Sequence, residues 1–237
     1  MAQIKPFFLF YPLVNTIFAP DYFYIMVIGD KIALIGAGGA ARDILCQLAD
    51  AWQKEGKDYK GHVVFTEPDS VHRPRMLMNC PVIAQSAFNP ETHHAVLAIG
   101  NPSDRAKVLE QLPPQTRFGT IIHPSCIISE WVEIGPGAAV SAGCILTCNI
   151  RTGAHCHLNY NTTIAHDFVA GDFFTTAPSA SVNGNCTAGN RVYIGSHAAL
   201  RQGVSLADDV VIGMGAMVLN SISKPGTYAG IPAVRIG

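Results

Sequence analysis

The chain has 237 residues, of which 49% are hydrophobic and 14% charged, and its formal net charge is −1 at pH 7. This length accommodates two globular domains. A near-zero charge without a basic run argues against a nucleic acid as partner. The seven cysteines include no CxxC pair with metal spacing, and most recur on one small-residue track of the repeat described below. They are therefore expected to be reduced core residues of a cytoplasmic protein.

Residues 1–29 contain apolar stretches that are broken by prolines 6, 12 and 20. Such stretches are too short to span a membrane. One lysine precedes them, but no small-x-small cleavage site follows, which argues against a signal peptide. We interpret residues 1–29 as a disordered or loosely packed extension, translated from upstream of a start at Met26.

From Lys31 a buried strand is predicted to end in a glycine turn, formed by Gly36, Gly38 and Gly39. A helix with one apolar face follows. Backbone amides at the start of such a helix approach a phosphate closely. Ala41 stands where a dinucleotide fingerprint has its third glycine, so the turn alone is a weak dinucleotide signal.

A second strand, 62–66, leads into Glu67 and Asp69, and a later strand, 95–99, leads into Asn101, Arg105 and another helix. An acid after the second strand of this architecture can bind a ribose hydroxyl. For either acid taken singly, a solvated loop residue is an equally good interpretation. The recurring order predicts a small Rossmann-like, doubly wound α/β domain at 30–118 with four or five strands, suited to one nucleotide.

The region 122–218 repeats with a period of six. Counting by six from Ile122 to Val218 gives seventeen positions, of which thirteen are Leu, Ile or Val, with no insertion. Neither an α-helix nor an ordinary strand has this period. Hexapeptide repeats are typical of a parallel β-helix, in which three strands form an eighteen-residue coil. Glycines at 135, 153, 171 and 189 match that coil, and we expect them to permit its sharp corners.

His166 and Asp167 are the one adjacent pair of base and acid in the coils. His166 is the third residue of its hexapeptide, so its side chain is expected to project outward near a corner. Gly184 follows one coil later. A glycine beside an outward histidine leaves room for a thioester and an N–H for the oxyanion of acyl transfer. Histidine is the natural general base for an attacking amine or hydroxyl.

A metal site of the γ-carbonic-anhydrase kind would need three converging histidines. No two histidines of the coils are eighteen or thirty-six residues apart, so we predict no metal. A trimer interface that joins distant faces keeps this alternative open.

Taken together, these motifs resemble the sialic-acid and nucleotide-amino-sugar O- and N-acetyltransferases. The resemblance covers about residues 30–236. It is carried by the strand followed by Gly-Ala-Gly-Gly, by Ala98–Asn101 with Arg105, by the coils with His-Asp, and by the tail Gly-x-Pro-Ala-x-Arg. The segment 204–209 is similar to the bacillosamine-pathway members.

The resemblance implies a left-handed β-helix at 119–237, a homotrimer, and acetyl-CoA in a groove between neighbouring β-helices. It implies His166 as base, Asp167 as its acidic neighbour and the Gly184 amide as the acyl-binding group. The tail residues Gly230, Pro232 and Arg235 would contact the cosubstrate. A nucleotide sugar would contact a set of α/β residues and one residue of the coils, namely Gly36, Gly38, Gly39, Glu67, Asp69, Asn101, Arg105 and Thr175.

Two departures from the family's pattern concern the sugar site, since Ala40 and Thr175 stand where histidines are common. The predicted function is N-acetylation of a nucleotide-linked amino sugar with acetyl-CoA, without a metal, for surface glycan synthesis. O-acetylation of a sialic-acid-like sugar, a metal-dependent hydratase and a non-catalytic nucleotide-sugar-binding protein are the alternatives.

Overall fold

The computed structural model describes residues 31–236. The predicted extension at 1–29 lies outside the described residues. Two regions follow one another: an α/β region (31–118) and a β-helix (121–235).

The α/β region is a five-stranded sheet with two helices. Its elements are β1 (Ile32–Ile35), α1 (Gly39–Lys54), β2 (Val63–Glu67), β3 (Arg75–Leu77), β4 (Cys80–Ala84), β5 (His94–Leu97) and α2 (Pro102–Leu109). The strand order is β3-β4-β2-β1-β5, and all pairs are parallel except β3 with β4. β1 is buried along its whole length, which agrees with its unbroken apolar sequence. The predicted apolar face of α1 packs onto the sheet.

The second region is a β-helix of short parallel strands, as the period of six predicted. Its strands are β6 (Ile121–Ile122), β7 (Ile127–Ile128), β8 (Val132–Ile134), β9 (Ala139–Val140), β10 (Ile145–Leu146), β11 (Ile150–Thr152), β12 (His157–Leu158), β13 (Thr163–Ile164), β14 (Val169–Ala170), β15 (Thr175–Thr176), β16 (Ser181–Val182), β17 (Thr187–Ala188), β18 (Tyr193–Ile194), β19 (Ala199–Leu200), β20 (Ser205–Leu206), β21 (Val210–Ile212), β22 (Met217–Val218), β23 (Gly226–Ala229) and β24 (Val234–Arg235).

Each strand of the coils pairs with the strand eighteen residues later, as Leu146 with Ile164 and Leu158 with Thr176. Three sheets result. The first is named for the α/β region that packs on it, and the second for strands that contain no charged residue. The docking face runs from β6 to β24 and carries the α/β region. The uncharged face runs from β7 to β22, and the third face from β8 to β20. The anchor residues of the period fill a continuous apolar interior, which confirms the predicted coil.

One residue in each hexapeptide, three positions after the anchor, adopts the left-handed conformation. From Gly137 to Gly215 all fourteen of these corner residues have φ between 53° and 79°. Ten of them are not glycine, and five of these ten are Asn or Asp, which tolerate this conformation. Each of the other five stores on the order of 1 kcal/mol of strain. The corners therefore repeat with the same period as the core.

The glycines spaced by eighteen serve a different purpose from the one predicted. Gly153, Gly171 and Gly189 are not among the residues with positive φ. A Cβ on any of them would instead collide with a side-chain oxygen of the next coil, belonging to Asp172, Asn190 and Asp208 respectively. These glycines are thus required by close approach between coils, and the expectation that they form the sharp corners was wrong.

The two regions share buried side chains. Ile121 and Ala139 of the docking face belong to the apolar core beneath α1, and Phe173 packs with β5 and α2. Gln47 of α1 accepts a hydrogen bond from the Ala142 N–H and donates one to the Tyr160 hydroxyl. The contact is therefore both apolar and polar, and it fixes the α/β region on the docking face.

Candidate functional site

His166 projects from the corner that joins β13 of the uncharged face to β14 of the third face, as its place in the hexapeptide predicted. Its side chain is 48% exposed, and its Nδ1 lies 2.7 Å from Oδ2 of Asp167. Asp167 is the left-handed residue of that corner, with φ of 59°. The corner geometry thus turns two consecutive side chains towards each other.

Asn149 adds a third side chain to this pair, and its role was not predicted from the sequence. It occupies the same corner one coil earlier, and its Nδ2 donates to Oδ1 of Asp167 at 3.1 Å. The hydrogen bonds from His166 and Asn149 hold the pKa of Asp167 below its usual value. An ionised Asp167 accepts the Nδ1 proton of the ring, which leaves the lone pair on Nε2 facing away from the carboxylate. The eighteen-residue spacing was the available signal for Asn149.

Gly184 lies directly beneath the imidazole. A Cβ at this position would stand 2.5 Å from Cε1 and 2.6 Å from Nε2 of His166. The expected stacking of the two residues is therefore present, but the space that the glycine provides is taken by the ring itself. Within the described residues, no hydrogen bond from the Gly184 N–H is found. A backbone donor without a partner, one coil from the imidazole, suits a developing oxyanion.

A cavity of about 520 Å³ lies between the α/β region and the docking face. Its floor crosses five neighbouring strands, from Ala139 to Val211, a span of about 19 Å at the usual strand spacing. Its walls include the starts of α1 and α2, and its far end carries the ion pair of Arg191 with Asp209. The volume falls in the range of small-ligand sites.

The glycine turn opens onto this cavity. A Cβ on Gly38 or Gly39 would meet no atom within 4 Å, and Gly39 lines the cavity. Gly36, with φ of 127°, is needed for packing, since a Cβ there would come within 2.8 Å of the Ala98 carbonyl oxygen. Asn101 lines the cavity as the cap of α2, and its Oδ1 accepts from the N–H groups of Ser103 and Asp104. Two helix N-termini therefore face one cavity, which favours an anionic ligand.

The two predicted ribose-binding acids are engaged within the α/β region, and neither lines the cavity. Glu67 makes a bidentate pair with Arg75 at 2.6 and 2.8 Å. This pair, aided by the Arg73 N–H and His72, lowers the pKa of Glu67 to about 2. The Asp69 carboxylate accepts hydrogen bonds from the hydroxyl and the N–H of Ser86, which lower its pKa.

Arg105 and Thr175 lie at the junction of the two regions. Arg105 is 0% exposed and does not line the cavity. The expectation that it contacts a nucleotide was wrong, because its guanidinium is enclosed by protein groups. Thr175 lines the cavity floor, but its hydroxyl accepts from Arg105 Nη2 at 2.6 Å and donates to the Phe173 carbonyl.

Two other histidines of the coils are buried. His155 lies between the rings of Phe118 and Phe173, and burial lowers its pKa to about 4. His157 is on the cavity floor, and burial likewise holds its pKa well below the usual value. Both rings are therefore neutral at pH 7.

The C-terminal tail extends the docking face by two strands. β23 pairs parallel with β21, and β24 folds back antiparallel on β23. Gly230 and Pro232 lie in the turn between these strands, and Arg235 ends the second. The Gly230 carbonyl accepts from the Met217 N–H, so the turn is held against the last coil.

Between residues 31 and 236, no three His, Cys, Asp or Glu side chains are grouped so that they could hold a metal ion. The same described part of the chain contains no helix long and apolar enough to cross a membrane.

The chain is similar in sequence to one characterised protein and in structure to several solved proteins. A segment of 147 residues is 31% identical to GDP-perosamine N-acetyltransferase of Escherichia coli O157:H7 and covers 60% of this chain and 65% of that protein. The acetyltransferase domain of PglB from Neisseria gonorrhoeae superimposes with a TM-score of 0.79 at 26% identity, over 88% of this chain and all of that domain. The chain is therefore similar to hexapeptide-repeat sugar acetyltransferases, and the match spans a little under two thirds of the length of the Escherichia coli protein.

The predicted resemblance is thereby confirmed. WeeI from Acinetobacter baumannii superimposes with a TM-score of 0.78 at 26% identity, over 87% of this chain and 99% of that protein. The PglB domain has also been solved in complex with acetyl coenzyme A. No family model matches the chain.

Proposed function

We propose that the protein transfers an acetyl group from acetyl-CoA to the amino group of a nucleotide-linked sugar. The observation that carries this proposal is the His166–Asp167 pair stacked on Gly184, whose N–H makes no hydrogen bond within the described residues. The Escherichia coli relative is named for a GDP-linked amino sugar. We therefore propose a GDP-linked amino sugar as the first acceptor to test.

In the proposed reaction His166 is the general base and Asp167 its orienting partner. As the acceptor nitrogen attacks the thioester carbonyl carbon, Nε2 of His166 takes the proton that this nitrogen loses. The Gly184 N–H donates to the oxyanion. When the C–S bond breaks, the imidazolium returns the proton to the leaving sulfur. Asp167 stabilises the imidazolium through Nδ1 and is held ionised by Asn149.

The acceptor nucleotide is proposed to bind in the cavity, with its phosphates near the N-termini of α1 and α2. Gly38, Gly39 and Asn101 would form this part of the site, and Gly36 shapes the turn. This assignment makes 30–118 a Rossmann-like nucleotide-sugar domain and 119–237 a left-handed acyltransferase domain. A role for Glu67 and Asp69 at the ribose stays a prediction.

A second copy of the chain is needed to bring the base to the cavity. His166 stands at the corner between the uncharged face and the third face, whereas the cavity lies on the docking face. One outward row of the uncharged face contains three exposed and three half-buried residues: Ile127, Ile145 and Met217 are exposed, and Thr163, Ser181 and Ala199 are half-buried. We propose that this row lies against neighbouring copies in a closed cyclic homotrimer.

Acetyl-CoA is proposed to bind between neighbouring β-helices, near Gly184 and the tail residues Gly230, Pro232 and Arg235. We propose a cytoplasmic location, which is supported by the free state of all seven cysteines.

The test is release of free thiol from acetyl-CoA over a panel of nucleotide amino sugars that begins with GDP-perosamine. Mass spectrometry of the product distinguishes an amide from an ester. We expect an acetamide on the sugar. Thiol release that does not depend on any acceptor of the panel would contradict the proposal.

A further inference from the structure

Arg105 is a buried cation whose hydrogen bonds cross the junction between the two regions. Nη1 donates to the carbonyl oxygens of Ile99 and Gly100 at 2.7 and 3.3 Å. Nε donates to the carbonyl oxygen of His155 at 3.2 Å, and Nη2 to that of Phe173 at 3.0 Å. The hydroxyl of Thr175 is the fifth acceptor, so one guanidinium joins the loop before α2 to two successive coils.

All five acceptors are neutral, and among the described residues no carboxylate pairs with Arg105. Burial lowers the pKa of its guanidinium to about 10, so the group is still charged at pH 7. A buried charge without a counter-ion is expensive unless every donor is used. All five N–H donors of Arg105 are used, so a shorter side chain or one with fewer donors would leave buried carbonyl oxygens without partners.

Two of the groups that Arg105 binds lie on different sides of the cavity, one contributed by each region. Gly100 lines the wall formed by the α/β region, and Thr175 lines the floor formed by the docking face. Asn101, the cap of α2, follows Gly100 directly. The position of the α2 N-terminus over the floor is thus set through one side chain.

We propose that Arg105 is a positioning residue, which holds the two walls of the acceptor cavity in register without contacting the ligand. This inference depends on the proposed function only in taking the cavity as the nucleotide site. A lysine cannot replace it, because a single ammonium does not reach acceptors on both sides as a planar guanidinium does.

Gln47 offers a matched control. It is also buried and also joins the α/β region to the β-helix, but its partners Ala142 and Tyr160 do not line the cavity. Loss of either side chain removes hydrogen bonds across the same junction. Only loss of Arg105 is expected to change the cavity.

The experiment measures binding of GDP and UDP by calorimetry, together with KM for the sugar and for acetyl-CoA, in the full-length protein. For Arg105→Lys we expect the Kd of the better-bound nucleotide and the KM of its amino sugar to rise by about tenfold to a hundredfold. The KM of acetyl-CoA should not change. Gln47→Met should lower Tm but leave the nucleotide Kd as in the wild type.

Thr175→Val removes one acceptor of Arg105 in a strand where valine is well tolerated, so it keeps the test informative if Arg105→Lys does not fold. We expect it to weaken nucleotide binding in the same direction, by a smaller factor. Equal nucleotide Kd values in wild type, Arg105→Lys and Thr175→Val would overturn the inference, and so would a wild type that binds neither nucleotide. Weaker binding in the variants without acetyl transfer by the wild type would support it and reject the proposed function alone.

Discussion

His166 and His155 belong to the same β-helix and lie eleven residues apart in sequence, but their surroundings are opposite. His166 is half exposed and paired with a carboxylate. His155 is enclosed by two aromatic rings, its Nδ1 has no hydrogen-bond partner among the described residues, and burial lowers its pKa to about 4. The first ring is therefore accessible to a reactant, and the second is kept neutral.

The difference comes from the corner at which each residue stands. His155 is a left-handed corner residue at the entry to the docking face, where the α/β region covers it. His166 immediately precedes the left-handed residue of a corner that the α/β region leaves open. The same hexapeptide repeat thus produces a buried structural histidine and an accessible one, depending on what packs over the corner.

Removal of the base should have the largest effect. His166→Ala is expected to lower kcat by about a hundredfold to ten-thousandfold and to leave Tm nearly unchanged, because the side chain buries little apolar area. Steady-state kinetics at saturating acetyl-CoA and acceptor, with chemistry rate-limiting, measures this. An unchanged kcat with a raised KM would make His166 a binding residue and remove the contrast with His155.

Gly184→Val should displace the imidazole rather than unfold the coil. The new side chain would collide with His166, which is free to swing into solvent, and a β-branched residue suits extended backbone. We expect a loss of about a hundredfold in kcat/KM with a native circular dichroism spectrum. Gly203→Ala, at a position with φ of 79°, is the control that strains the backbone without touching His166.

His155 should appear in the pH dependence of stability. Its pKa is near 4 in the folded protein and about 6.5 when unfolded, so protons bind the unfolded chain more tightly. Its contribution to stability is therefore complete above pH 6.5 and is lost as the pH falls towards 4. At pH 5 the loss is about 2 kcal/mol. His155→Phe should remove this loss, which urea unfolding at pH 7 and pH 5 can measure. The same pH dependence in the variant would be contrary to this assignment.

The smallest effect is expected from the partners of the base. Asp167→Asn should lower kcat about tenfold, because the amide orients the ring less firmly than the carboxylate and does not stabilise the imidazolium. Asn149→Ala should act in the same direction more weakly, since it reaches the ring only through Asp167. A larger loss in Asn149→Ala than in Asp167→Asn would show that this order is wrong.

The sequence predicted most where one rule repeats over many residues. Three strands of one hexapeptide each form an eighteen-residue coil. The period of six therefore predicted which residues fill the interior, and the period of eighteen predicted that Gly184 stacks under His166. The same count leads from Asp167 back to Asn149. It did not reveal why Gly153 is a glycine, because the collision involves an aspartate of the next coil, Asp172.

The sequence predicted least at the junction of the two regions. Arg105 lies in a motif that suggested ligand binding, and only the packed structure shows its guanidinium enclosed by carbonyl groups. Glu67 is the last residue of its strand, near the position expected for a ribose ligand, but its carboxylate is paired with Arg75. A pattern within one region does not specify which partner a charged side chain finds in tertiary contacts.

In the proposed trimer the cavity of one subunit receives the base of another, a claim that the mixing of two inactive variants can test. Gly39→Trp fills the cavity from an open position, and His166→Ala removes the base, so each variant alone should be inactive. After dissociation and reassembly together, mixed trimers contain sites with an intact cavity and an intact His166, and thiol release should reappear. Native mass spectrometry that shows mixed trimers without recovered activity would contradict the claim.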